Sequence, residues 1–268
     1  MASRTKQKEE ARARRIAEEQ ARAERAARTR RIRMLAGVVI GAVVLIVVAV
    51  VISTSSSSPA SGPAPGTKGA TQQAAIVNSL LAGIPQSGQT IGNPNAKATL
   101  TEYGDLECPI CRDFALSSVD KVISNEVRAG KVKLVYKSYE TATGGAPNPS
   151  VFPVQQAAAY AAGLQGKAWN YILLFYREQG AEGTGYVTPS YLEGLAKQIP
   201  GLNYNQWLSQ YQSSTLTSQV QSESQYALSQ NWNGTPTIII QGPKGQTQPT
   251  SGAIPYSDLQ SGFTAAGA

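Results

Sequence analysis

Hydrophobic and polar positions change their pattern several times along this 268-residue chain. Residues 34–52 carry no charge, and as a helix this run would be about 28 Å long, which matches the hydrocarbon core of a bilayer. It is longer than the apolar core of a typical signal peptide, and no convincing small-residue cleavage site borders it. We therefore predict a single transmembrane helix, with a cleaved signal peptide as the alternative.

The segment that follows the apolar run has the composition of a linker. Residues 53–69 are rich in Ser, Pro and Gly, which predicts a flexible tether. A short amphipathic stretch at 76–81 comes next, and regular patterns begin near residue 90. We therefore assign residues 70–268 to one globular domain.

The first part of this domain alternates between strand and helix patterns. Apolar residues favour a strand at 97–103, a helix at 109–129 and a second strand at 132–139, where they alternate with polar ones. A strand, a helix and a second strand in this order predict a βαβ unit with parallel strands.

Helical patterns dominate the next hundred residues, and strands return at the end. The predicted helices cover residues 152–164, 168–178, 189–198, 204–211 and 215–231. A strand at 237–241, a turn, a further strand near 247–250 and a short helix after Pro255 complete the chain. We expect an α/β fold with a helical insertion at about 144–231.

The net positive charge of the chain, +7, lies in its first 33 residues. These hold 12 of the 24 Lys and Arg but only 5 of the 17 Asp and Glu, so the remaining 235 residues are electrically balanced. By the positive-inside rule, residues 1–33 form a basic cytoplasmic tail and the globular domain lies outside the cytoplasm. A balanced domain also argues against nucleic-acid binding, which needs concentrated basic residues.

The chain contains two cysteines, Cys108 and Cys111, and no histidine. A zinc site would need two further ligands, so we predict no metal and no other cofactor. Pro109 suits the first position of a helix, which would place Cys108 at the N-cap, where free N–H groups stabilise a thiolate. Cys111 would lie one turn deeper and act as the resolving thiol. The alternative is an inert disulfide, but so small a loop stabilises little.

Two segments resemble known proteins. Residues 99–114, TLTEYGDLECPICRDF, and residues 234–237, GTPT, are similar to the active-site segments of DsbA-like thioredoxin-fold oxidoreductases. The resemblance implies a thioredoxin fold with an inserted helical subdomain, here preceded by a transmembrane helix. It also implies a thiol:disulfide oxidoreductase that introduces disulfides into exported proteins. Because Pro and Ile stand where family members commonly carry His, thiolate stabilisation must come from the helix end and backbone.

The resemblance also assigns residues to the substrate site. Pro236 is expected to be a cis proline facing the cysteines, with Thr235 before it. The alternative is a trans proline that merely starts a strand. Together with Pro109 and Ile110, these residues would contact an extended substrate peptide.

Several carboxyl groups lie close to the cysteines in sequence. Glu102 shares one strand face with apolar residues, so we expect it to be buried and to exchange a proton with Cys111; the alternative is a surface acid. The other charged neighbours are expected to be solvated: Asp105, Glu107, Arg112 and Asp113.

The resemblance further implies partners and a location. Substrates would be exported or cell-surface proteins with free thiols, and a membrane quinone-linked enzyme of the DsbB or vitamin-K-epoxide-reductase-like type would reoxidise the chain. We expect a single-pass protein of the bacterial cell membrane with an extracytoplasmic catalytic domain. The alternatives are a disulfide reductase or isomerase, and a non-catalytic chaperone or binding module.

Overall fold

The computed structural model describes residue 64 and residues 66–268. The predicted tail at 1–33, the predicted membrane span at 34–52 and most of the predicted linker at 53–69 lie outside the described residues. Within the described part, no helix is both long and apolar enough to cross a membrane.

A mixed sheet forms the centre of the domain. Strands β1 to β6 lie in the order β1-β2-β4-β3-β5-β6, and β7 pairs with β5. Strands β3 and β4 run parallel, and every other pair in this sheet is antiparallel. The strands are β1 Gln86–Ser87, β2 Thr90–Ile91, β3 Ala98–Gly104, β4 Val132–Ser138, β5 Thr237–Gly242, β6 Gly245–Gln246 and β7 Thr250–Ser251.

The two central strands follow the predicted alternation. Along both β3 and β4, buried and half-buried residues alternate without interruption, because neighbouring side chains of a strand point to opposite faces. A helix at residues 109–127 connects them, as a parallel pair requires. The predicted βαβ unit is therefore confirmed, with strand ends that differ by one residue.

Helices surround this sheet and form the predicted insertion. Helix α1 precedes the sheet, α3 to α7 form the insertion between β4 and β5, and α8 ends the chain. Helix α2 comprises Pro109–Phe114, a π-helical stretch at Ala115–Val119, a short segment at Asp120–Val122 and a second π-helical stretch at Ile123–Val127. The other helices are α1 Lys68–Leu81, α3 Phe152–Gly163, α4 Ala168–Arg177, α5 Pro189–Lys197, α6 Tyr204–Gln210, α7 Ser214–Ser229 and α8 Tyr256–Ala266.

Two sequence predictions differ from the observed elements. The strand predicted near 247–250 is wrong, because regular pairing is limited to the two-residue strands β6 and β7. Pro249 lies between them and has no N–H to donate to a ladder. At the other end, α1 begins at Lys68, inside the predicted linker, where the Thr67 hydroxyl caps it by accepting from the Ala70 N–H at 3.2 Å.

The insertion has its own aromatic interior. Trp169, Tyr171, Phe175 and Tyr176 of α4 are all buried. Helix α4 packs against α1, α3 and α2, while α7 packs against α3 and β4. Because α4 contacts α2 directly, the insertion reaches the helix that begins with the cysteine pair.

Candidate active site at the cysteine pair

The first turn of α2 presents the two cysteines in different positions. Cys108 is the N-cap residue, with extended backbone angles, and Pro109 follows inside the helix. Proline fits there because the first helical N–H groups have no partner within the helix. The predicted N-cap placement of Cys108 is therefore confirmed.

The cysteines also differ in access to solvent. Cys108 is 6% exposed, whereas Cys111 is completely buried. Between them, Pro109 is half-buried and the Ile110 side chain is 46% exposed. Both cysteines are free thiols in this structure. Only Cys108 is therefore open to a large reactant.

A distant loop closes over Cys108. The Thr235-Pro236 peptide bond is cis, as the sequence resemblance implied. The Cys108 Sγ lies 3.5 Å from the carbonyl oxygen of Thr235, to which it donates. Strand β3 ends just before the Cys108 loop, and β5 begins just after the Thr235-Pro236 loop. Because β3 and β5 are antiparallel neighbours, the two loops lie at the same edge of the sheet. The structure thus brings together residues that are 127 positions apart.

The surroundings shift the two thiol pKa values in opposite directions. The pKa of Cys108 is lowered to about 7, mainly by a hydrogen bond with the Cys111 thiol. Thr235 and the backbone N–H groups of Cys111 and Ile110 lower it further, against the effect of burial. The pKa of Cys111 is raised well above its usual value by burial, by the bond to Cys108 and by the negative charges of Cys108 and Glu102. Cys108 is therefore the sulfur that exists as a thiolate near neutral pH.

Glu102 is buried under the cysteine pair, as predicted. It is 1% exposed, and its Oε1 atom has no hydrogen-bond partner. Burial and the negative charge of Cys108 raise its pKa to about 8, while a hydrogen bond from Tyr176 lowers it. Glu102 is thus a carboxyl group that gains and loses a proton close to neutral pH.

Two tyrosines share the interior with Glu102. Tyr136 on β4 is the direct neighbour of Glu102 across the parallel strands, and its hydroxyl lies 3.5 Å from that of Tyr176 on α4. Both tyrosines are completely buried. The hydroxyls fit because Gly104 has no side chain: a Cβ there would lie 2.9 Å from the Tyr136 ring and 3.1 Å from the Tyr176 hydroxyl.

The prediction that Asp105 and Glu107 are solvated is wrong. Asp105 is fully buried, and Glu107 is 2% exposed. Asp105 was misassigned because its partners lie far along the chain: its Oδ2 accepts from the N–H groups of Thr141 and Thr143, both at 2.9 Å. Its Oδ1 accepts from the Glu107 N–H at 3.0 Å and the Thr143 hydroxyl at 2.6 Å. Burial raises its pKa, and these bonds oppose the rise.

Glu107 and the remaining charged neighbours divide into buried and solvated groups. Burial raises the pKa of Glu107 to about 7, and its Oε2 has no hydrogen-bond partner. Arg112 is half-buried, and its Nε donates to the Tyr176 carbonyl at 3.2 Å. Of the four charged neighbours, Asp113 alone is exposed.

The insertion also holds the loop in front of Cys108. The side-chain amide of Gln179, just after α4, donates to the carbonyl of Leu106 at 2.7 Å and to that of Cys108 at 3.2 Å. Gln179 is buried. No sequence pattern points to Gln179, because its contacts depend on the packing of α4 against α2.

The candidate site contains thiols, carboxyls, hydroxyls and amides. Among residues 66–268, no group of three or more His, Cys, Asp or Glu side chains is placed to hold a metal ion. The thiols of the described site can exchange disulfides, and its carboxyls can transfer protons.

The fold and motif relate the chain to known proteins. The disulfide bond formation protein D of Bacillus subtilis (strain 168) is 25% identical over 170 residues, covering 61% of this chain and 72% of that protein. A probable disulfide bond formation protein D of Bacillus anthracis is 20% identical over 160 residues, covering 58% and 70%.

Solved structures show the same fold. Oxidised BdbD from Bacillus subtilis superimposes with a TM-score of 0.57 at 20% identity, covering 68% of this chain and 95% of that chain. Pseudomonas aeruginosa DsbA2 gives 0.52 at 22% identity, covering 68% and 94%. The thioredoxin family model matches residues 86–254, more than half of the sequence. With its βαβ unit, its cysteine pair at a helix start and its facing cis proline, this chain belongs to the thioredoxin family.

Proposed function

We propose that this protein is a thiol:disulfide oxidoreductase that introduces disulfides into exported proteins. The observation that carries the proposal is the position of Cys108: a slightly exposed N-cap thiol whose pKa is lowered to about 7, next to a buried Cys111 and the Thr235-Pro236 loop. The relatives named disulfide bond formation proteins support the direction of the reaction.

The proposed reaction begins with a disulfide between Cys108 and Cys111. A substrate thiolate attacks the Cys108 Sγ, the bond between the two cysteines breaks, and Cys111 leaves with the electron pair. A second substrate thiolate then attacks the substrate sulfur of the mixed disulfide and releases Cys108 as a thiolate. The substrate loses two electrons and gains a disulfide, while the enzyme becomes a dithiol.

In this proposal, Glu102 handles the proton of Cys111. The leaving Cys111 sulfur must take up a proton because its pKa is raised well above the usual value. Glu102, with a pKa of about 8 and an unpaired Oε1, is a suitable proton donor beneath Cys111.

The proposed substrate site surrounds Cys108. Pro236 has no N–H, and an extended substrate segment would hydrogen-bond to the backbone of Thr235 in the manner of an added strand. Pro109 and the exposed side chain of Ile110 would provide apolar contact on the other side of the thiol. Such contacts select an unfolded segment by its backbone more than by its sequence.

The proposal extends to the setting of the enzyme. Substrates would be exported or cell-surface proteins with free thiols, and a membrane quinone-linked enzyme would restore the disulfide. The basic segment at 1–33 and the apolar run at 34–52 support a bacterial cell-membrane protein with its catalytic domain outside the cytoplasm. A tether would raise the local concentration of a membrane partner.

The equilibrium of the full-length chain with glutathione tests the direction. An oxidase accepts electrons readily from substrate thiols, so we expect equal dithiol and disulfide at a potential above about −240 mV. A disulfide that persists down to about −270 mV would identify a reductase instead. Failure to exchange with glutathione at any ratio would indicate a non-catalytic binding module.

A further inference from the structure

A hydrogen-bonded bridge connects the two loops that meet at Cys108. On one side, Asp105 holds the loop before α2, since its carbonyl accepts from the Cys108 N–H at 3.0 Å and its Oδ1 from the Glu107 N–H at 3.0 Å. On the other side, the Oδ2 of Asp105 accepts from the Thr141 N–H at 2.9 Å. Thr141 lies just beyond β4, and the carboxyl group fixes its backbone relative to the cysteine loop.

The Thr141 side chain completes the bridge. Its hydroxyl lies 2.5 Å from the hydroxyl of Thr235, the residue before the cis proline. Thr235 in turn contacts Cys108 through its carbonyl at 3.5 Å, and its side chain contributes to the lowered pKa of the thiol. Cys108, Thr235, Thr141 and Asp105 therefore form a closed circuit of short contacts.

Each threonine hydroxyl carries a single proton, which limits the hydrogen-bond directions that are possible among these residues. One of the two threonine hydroxyls donates to the other. If Thr141 donates, the Thr235 proton remains free to point at the Cys108 sulfur and stabilise its anion. If Thr235 donates, no hydroxyl proton reaches the sulfur. Of these two arrangements, only the one in which Thr141 donates leaves a hydroxyl proton for the Cys108 thiolate.

We propose that Thr141 is a positioning residue for the redox pair: its hydroxyl orients the Thr235 side chain toward the Cys108 sulfur, and Asp105 holds Thr141 in place. The inference deepens the proposed function and rests on it, since the orientation matters for catalysis only if Cys108 exchanges disulfides. The Thr141 hydroxyl makes its hydrogen bond to Thr235 and not to the Cys108 sulfur. It is half-buried at the rim of the site.

Other groups that act on the Cys108 sulfur are untouched by a change at Thr141. The ionisable groups facing it are Cys111 of α2 and Glu102 of β3, and Glu107 precedes it in the chain. Replacing Thr141 removes a hydroxyl and no charge. A shift in the titration of Cys108 would therefore report on the hydroxyl bridge.

The test compares Thr141→Val with Thr141→Ser in the reduced full-length chain. The rate of iodoacetamide alkylation is measured against pH; Cys111 is fully buried, so the rate reports on Cys108. For Thr141→Val we expect the midpoint pH of the alkylation profile to rise by about 0.5 to 1. Below that midpoint, the thiolate fraction of Cys108 would be roughly 3- to 10-fold smaller than in the wild-type chain. Thr141→Ser, which keeps the hydroxyl, should restore the wild-type midpoint.

Two results would overturn the proposal. One is an alkylation midpoint in Thr141→Val that equals the wild-type value. Even if the Tm of this variant were lower, the hydroxyl would then only stabilise the contact between the two loops. The other is an equal shift in Thr141→Ser and Thr141→Val, which would implicate the methyl group or backbone. Exchange of the wild-type chain with glutathione is measured in parallel, since its absence would refute the proposed function without changing the alkylation profile.

Discussion

Cys108 and Cys111 are three positions apart, yet their surroundings differ in almost every physical respect. Cys108 lies at a helix N-terminus beside backbone N–H groups and the Thr235 loop, and its pKa is lowered to about 7. Cys111 lies in the interior, above a carboxyl group without a full set of hydrogen bonds, and its pKa is raised. One turn of helix is enough to separate a thiol with a lowered pKa from a buried thiol with a raised pKa.

The contrast comes from different parts of the fold. The surroundings of Cys108 come from loops at the ends of β3, β4 and β5. The surroundings of Cys111 come from the sheet interior and from α4 of the insertion, which supplies Tyr176. The insertion therefore contributes to the redox centre as well as covering the sheet.

Removing each sulfur in turn should separate the two roles most strongly. Cys108→Ser should reduce disulfide exchange by on the order of 1000-fold or more, because no other exposed thiol remains. Cys111→Ser should instead accumulate mixed disulfides with substrate proteins, because the Cys108 thiolate can still attack the disulfide of an oxidised substrate and no Cys111 thiol remains to displace that substrate. Non-reducing gels of cell extracts measure both. If Cys108→Ser traps substrates and Cys111→Ser does not, the assignment of nucleophile and resolving thiol is reversed.

The second prediction concerns the buried acid below Cys111. The Glu102 carboxyl has a folded-state pKa of about 8 against an ordinary value of 4.5, so the folded protein holds the proton more tightly than the unfolded chain. The protonated group therefore stabilises the fold fully below about pH 4.5, and this contribution is lost as pH rises to about 8.

Glu102→Gln removes this pH dependence. We expect the variant to gain on the order of 3 to 5 kcal/mol in the free energy of unfolding at pH 9 relative to wild type, and little at pH 4.5. Urea unfolding at the two pH values measures the difference, with Glu182→Gln at an exposed position as the matched control. An equal effect at both pH values would show that Glu102 does not titrate in the interior.

The third prediction tests whether the Tyr136 and Tyr176 hydroxyls need the space beside Gly104. In Gly104→Ala, the new methyl group would lie 2.9 Å from the Tyr136 ring, so we expect a loss of about 1 to 3 kcal/mol in stability. In Gly145→Ala, where nothing lies within 4 Å, the change should stay within about 0.5 kcal/mol. Thermal unfolding compares the two variants. Equal stability would mean that the tyrosine hydroxyls have room to move away from Gly104.

The predictable part of the site was local in sequence. The placement of Cys108 follows from a proline after a short polar turn, and the inward position of Glu102 follows from strand alternation. The cis state of Pro236 came from the family resemblance, since a Thr-Pro dipeptide by itself favours trans. The inferences on Cys108 and Glu102 needed only a few neighbouring residues.

The unpredicted part depends on partners that are distant in sequence. Asp105 looked like a surface acid because charged residues are rarely buried, and its burial is compensated by donors from residues 141 and 143. Gln179 and Tyr176 reach the site only because α4 packs against α2. Hydrogen bonds that compensate for the burial of a charged group can be identified only once the packing of the helices and strands is known.

The amino-acid order by itself determined the strand and helix pattern, the cysteine pair at a helix start and the class of chemistry, because periodicity and capping act over a few residues. Tertiary structure alone decided which carboxyls are buried, which hydroxyl reaches Thr235 and how far each thiol pKa moves. The reason is physical: burial and hydrogen bonding depend on what surrounds a group in space, and those surroundings come from segments up to 127 residues away.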